Sequence, residues 1–127
     1  MPLEFHAGVV HSDRLCRRLS FADRDDDSGK QYFIIDRSEQ SNEAVHDMDD
    51  VYIERDDQRW GGYGGIERVV LERDRLTLQF DPRMATRMGE HDSIRITFAV
   101  SDDDFGNMRY VLGCIMRGYE PRLELRC

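Results

Sequence analysis

Four histidines and three cysteines are the side chains here with the most chemistry to offer, and their spacing supports little of it. No two of His6, His11, His46 and His91 stand three or four apart, the spacing that puts two zinc ligands on one helix face. Cys16, Cys114 and Cys127 form no CxxC pair, and their odd number does not suit a disulfide framework. No GxSxG elbow or cysteine-enzyme signature is present. The acidic run DRDDDSGK (23–30) departs from the calcium-loop pattern, and WGGYGG (60–65) lacks the spacing of a phosphate loop. Twenty-six carboxylates make chance acid pairs inevitable, so none is singled out for acid–base work. No catalytic residue, metal or cofactor is expected. An enzyme using Cys16 or a carboxylate pair stays open as a minor reading, with a depressed thiol pKa as its mark.

Two acidic clusters and one aromatic, glycine-rich stretch remain. Asp23, Asp25, Asp26 and Asp27 form the first cluster. From Glu43 to Asp57 there are seven acids and one arginine. Such runs are usually solvated faces. The alternative is a surface that steers a basic partner, with Asp47, Asp49, Asp50, Asp56 and Asp57 as the steering charges. Trp60 and Tyr63 are aromatic types that anchor interfaces. The glycines around them either let strands bend and twist or let a partner approach the backbone.

Mostly strands must position these residues. Period-two alternation predicts strands over 3–10, 66–72, 75–81 and 93–100 and, less cleanly, over 14–22; a short apolar run rich in aromatic and β-branched residues predicts one over 31–36, and 51–55 reads as another short strand. The first two would form a hairpin turning at His11-Ser12-Asp13. Residues 23–30, 37–50 and 56–65 read as turns or loops, with a single helical turn as an option within 37–50. Pro82 and Gly89 bracket a short helix near 82–88. Ser101 and the three aspartates after it start an amphipathic helix whose Phe105, Met108, Val111, Leu112, Ile115 and Met116 recur at three and four, ending near Gly118. Cys114 falls beside the apolar stripe as a small core residue. The tail is an edge strand or a frayed end. The expected fold is one α+β domain over 1–127, mainly antiparallel sheet packed against one C-terminal amphipathic helix.

The net charge of −8 opposes binding to nucleic acid or anionic membrane and favours basic partners. No stretch approaches the length of a membrane helix, and charges come too early for a secretory h-region. With unpaired cysteines, the expectation is a cytoplasmic protein.

VYIERDDQ, then YGGIERVVLERDRLTLQFD, MATRMG and SIRITFAV resemble the immunity protein 10 family of bacterial polymorphic toxin systems. The resemblance covers roughly 30–117 and is most characteristic at Tyr63-Gly64-Gly65-Ile66-Glu67. It implies a cytosolic, non-catalytic α+β protein that binds and neutralises a cognate toxin protein. Glu67 completes the candidate partner-binding set. A basic, nuclease-type toxin would suit the acidic surface. A small-molecule-binding or regulatory domain is the alternative, marked by a deep apolar pocket with converging polar groups. A homodimer through edge strand 121–127 is compatible with either.

Overall fold

Among the described residues, period-two alternation builds ten strands, and their inward residues make one continuous core. The structure is a computed structural model describing residues 2–23, 31–37 and 50–126, with side chains for all of these but 57 and 58. Most of the acidic turn 23–30 and of the connection 37–50, with Asp47, Asp49 and the Asp57 side chain, lie outside the described residues.

The strands are β1 (Leu3–Ala7), β2 (Val9–Asp13), β3 (Arg18–Ala22), β4 (Tyr32–Arg37), β5 (Val51–Arg55), β6 (Asp57–Tyr63), β7 (Ile66–Glu72), β8 (Arg75–Phe80), β9 (Ser93–Phe98) and β10 (Leu123–Arg126). The α-helices among the described residues are α1 (Pro82–Arg87) and α2 (Asp102–Ile115), and one 3-10 turn spans Glu120–Arg122. The α+β expectation holds, with the strands divided between two five-stranded sheets. The first sheet has the order β1-β9-β8-β7-β10, an antiparallel centre with parallel strands at both edges. The second is an antiparallel meander, β2-β3-β4-β5-β6.

The chain changes sheet twice. It leaves β1 at Gly8 and returns to the first sheet through Gly64 and Gly65. The run expected as one strand over 3–10 is therefore broken at Gly8, and the phase shifts: Val10, not Val9, packs against the core. The first hairpin also turns later than expected. β2 runs on to Asp13, which pairs with Arg18. Asp13 then accepts the Cys16 N–H at 3.0 Å, the local bond by which Asp starts turns. That bond holds the Asp13 carboxyl below the ordinary carboxylate range. Cys16 thus sits in an exposed turn, not a strand, and neighbouring Leu15 is 92% exposed. Most of 56–65, expected as a turn, is strand β6.

Leu19, Phe21, Phe33, Ile35, Val51 and Ile53 line the inner face of the second sheet. Val69, Leu71, Leu76, Leu78, Ile94 and Ile96 line that of the first. Phe21 meets Phe98 at 6.2 Å between ring centroids, tying the two sheets together. Helix α2 packs against β2, β3 and β4 and adds Phe105, Met108, Val111, Leu112 and Ile115 to the same cluster. Its start is as expected: Ser101 accepts the Asp104 N–H, and Asp102, Asp103 and Asp104 sit in the positive first turn. Helix α1 is capped by Asp81 and followed by Gly89 at φ 83°. The tail forms edge strand β10, parallel to β7.

Candidate functional site

The outer face of the second sheet is built from the alternate positions of its strands. Pairing aligns Asp13, Arg18, Asp36, Tyr52 and Tyr63 in one row across all five strands. The next row is His11, Ser20, Ile34, Glu54 and Gly61. Tyr32 stands beside Ala22 beyond it. Neither helix packs on this side: α2 lies on the inner face, where Arg37 reaches its last carbonyls. Tyr63 is 48% exposed, whereas Tyr32, Ile34 and Tyr52 are half-buried.

Glu54 organises the face. It is 8% exposed, the one buried charged side chain among the described residues. Tyr52 donates to its Oε1 at 2.5 Å and Tyr32 to its Oε2 at 2.5 Å. Charge-assisted bonds this short are strong and fix both rings. Burial, then the hydrogen bond to Glu54 and its charge, push the Tyr52 phenol up to about 12. Tyr52 therefore stays a donor across the physiological range. Tyr63 leans on Tyr52 with centroids 5.0 Å apart and planes tilted by 56°, a favoured aromatic geometry. Arg18 closes the charged end of the row on Asp36 at 3.0 Å. The result is an aromatic patch held rigid from beneath, suited to binding; both Glu54 oxygens are occupied by phenols.

Trp60 and Tyr63 do not act together. They are three apart on β6, an odd step that sends them to opposite faces. Trp60 packs inward beneath Arg55, whose guanidinium lies 5.0 Å from the ring centroid, and beside Gly89. The glycines around it serve the chain's own packing. A Cβ on Gly61 would stand 2.3 Å from the Ile53 carbonyl oxygen, and one on Gly65 would stand 2.5 Å from the Met84 Cβ. Gly65 also has φ 78°, where a side chain is strained.

Asp50 and Asp56 do structural work of the same kind at the two helix ends. Arg37 donates to the Ile115 and Arg117 carbonyls at the end of α2, at 2.9 and 2.6 Å. Asp50 holds Arg37 at 2.5 Å and accepts from Tyr119 at 2.6 Å. Arg55 donates to the Met88 carbonyl at the end of α1, at 3.0 and 2.8 Å. Asp56 holds Arg55 at 3.0 Å and accepts the Tyr32 N–H at 2.9 Å. In each pair an arginine answers the negative helix end and an aspartate orients it. Asp50→Asn or Asp56→Asn is therefore expected to lower unfolding free energy by roughly 1–3 kcal/mol, measured by urea denaturation, while leaving partner association rates unchanged.

Glu67 is exposed but lies past the corner on β7 of the first sheet, at a bulge. That sheet's outer face is polar: Arg68, Arg75, Arg95 and Arg126 interleave with Glu4, Glu72 and Glu124 as ion pairs. Its open depressions, of 380 and 460 Å³, are lined mostly by these charged and polar side chains. Cys114 is partly exposed on α2. No group of three or more His, Cys, Asp or Glu among the described residues could hold a metal ion. No described helix is long and apolar enough to cross a membrane.

Tyr32, Tyr52 and Glu54 were absent from the sequence-derived candidates. For Tyr52 and Glu54 the signal was present in VYIER, where alternation puts them on the face opposite Val51 and Ile53.

Comparison with curated proteins finds no match. The family described as Immunity protein 10 matches over residues 5–106, from β1 into the first turns of α2. The match takes in the N-terminal strands and both outer rows of the second sheet. The chain belongs to the Immunity protein 10 family, whose members neutralise a toxin.

Proposed function

We propose that this chain is a non-catalytic, stoichiometric inhibitor that seats its cognate toxin domain on the outer face of the second sheet. The observation that carries this reading is the patch of Tyr32, Tyr52 and Tyr63, two of them pinned by the buried Glu54, on a face that neither helix covers. Tyrosines supply large contact area at low entropic cost, and pinning them in advance lowers that cost further.

Charge favours this face over the other for a basic toxin, such as one acting on nucleic acid. In the paired outer rows of the second sheet, Asp13, Asp36 and Glu54 stand against Arg18, whereas on the first sheet four arginines stand against three glutamates. The connection 38–49, between β4 and β5 of the second sheet, carries Glu39, Glu43, Asp47 and Asp49 and no Lys or Arg. Asp47, Asp49 and Asp57 are thus the steering charges of the candidate set, since Asp50 and Asp56 are engaged within the fold.

The test is co-purification of tagged protein with its partner at low and moderate salt, followed by association kinetics. A basic toxin domain recovered one to one, with its activity abolished, is the expected result. Combined Asp47→Asn, Asp49→Asn and Asp57→Asn should slow association about tenfold at low salt and flatten its salt dependence. An unchanged rate and salt slope would remove the steering role. Recovery of no protein partner at either salt would remove the inhibitor reading.

A further inference from the structure

The exposed face of α2 is built like half of a helix pair. Tyr110 is 53% exposed on it, and Leu125 on edge strand β10 is 41% exposed. These two line a 460 Å³ groove with Gly106, Arg109, Gly113 and Arg117. Gly106 and Gly113 are interior positions of a 14-residue helix, where glycine is unfavourable relative to alanine. A Cβ on either would meet nothing within 4 Å, so nothing inside this chain calls for their small size. Seven apart, they lie on one helix face, with Tyr110 between them.

We propose that this groove receives α2 of a second copy of the chain, packed antiparallel about a two-fold axis. Charge selects that occupant. Along the exposed face, α2 carries acids in its first turn, Asp102, Asp103 and Asp104, and Arg109 farther on, with Arg117 in the turn just past its end. An antiparallel copy sets each end against its opposite. In the register that brings Gly106 against Gly113 of the second copy, Asp102 faces Arg117 of that copy. Arg109 then comes beside its Tyr110, whose ring already carries Arg14 of its own chain at 4.4 Å. The glycines let the two backbones approach closely enough for these contacts. Asp102 already reaches Arg73 at 2.8 Å yet is 97% exposed, so its second oxygen is open to another cation. The groove lies on the α2 side, away from the tyrosine face, so each copy keeps its toxin-binding surface.

Sedimentation velocity over about 1–300 µM at low salt tests this, because a self-association must depend on concentration. The wild-type chain is expected to pass from monomer to dimer in that range. Gly113→Leu should weaken dimerisation by about tenfold or more without lowering Tm at concentrations where the wild type is monomeric, since the added side chain meets nothing within the monomer. Asp102→Arg and Arg117→Asp should each weaken it, and the double exchange should restore it. A chain that stays monomeric at the highest concentration would overturn the proposal. So would a dimer that survives Gly113→Leu, which would point to pairing through β10, or a double exchange that fails to recover.

Discussion

Tyr52→Ala and Tyr63→Ala are each expected to weaken toxin binding by about 2–4 kcal/mol, roughly 30- to 1,000-fold in Kd by calorimetry. The two rings touch and share a row, so their losses should be less than additive. Tyr63 is the more exposed and should act through contact alone, leaving stability nearly unchanged. Tyr52 is bonded to Glu54, so its loss should cost stability as well. Trp60→Ala supplies the contrast. Its ring lies on the inner side against Arg55 and Gly89, so Tm should fall while Kd of the folded fraction holds. If Trp60→Ala weakens binding more than Tyr63→Ala at equal folded fraction, the toxin sits elsewhere.

That contrast turns on parity, which the sequence contains but which is read correctly only once the element is known. WGGYGG reads as a turn because glycine is a strand breaker. In the structure Gly61 is strand because β5 approaches it too closely for any side chain. Once β6 is a strand, Trp60 and Tyr63 part. Leu76, Leu78 and Phe80, and Ile94, Ile96 and Phe98, were legible as core-facing sets, the limits of α1 were legible from Pro82 and Gly89, and the N-cap of α2 from Ser101. Periodicity says which residues face a core but not which sheet holds them. The division into two sheets rests on β1 pairing with β9 and β10 with β7, contacts between distant segments that leave no local trace. Asp50 and Asp56 look like solvated acids for the same reason. Asp50's partner Arg37 lies beyond a long connection, and Arg55, beside Asp56, is fixed by a helix end more than thirty residues on.

Glu54 carries the second large effect. Glu54→Ala would leave the Tyr32 and Tyr52 hydroxyls without their shared acceptor and open the space beneath the patch. A loss of about 3 kcal/mol in stability is expected, because each bond to a charged acceptor contributes roughly 1.5–3 kcal/mol and water at this half-buried face recovers part of it. Toxin affinity should fall with it, since the rings lose their fixed orientation. Burial of the Tyr52 phenol, together with the same contact, gives a pH signature. The Tyr52 phenol titrates near its ordinary 10.0 in the unfolded chain and at about 12 in the folded one. Between those values the unfolded chain has already lost a proton that the folded chain keeps, so stability falls as pH rises. The contribution is fully present below pH 10 and is lost as pH passes through the folded value. Discounted for partial exposure, it amounts to about 2 kcal/mol. Urea denaturation at pH 8 to 11.5 should therefore show a downward slope for the wild-type chain that is shallower in Tyr52→Phe. Tyr52→Phe should begin lower at pH 8 and converge on the wild type at the alkaline end. Parallel slopes would mean that neither burial nor Glu54 holds the Tyr52 proton, and the pinned-anchor account of this face would fail with it.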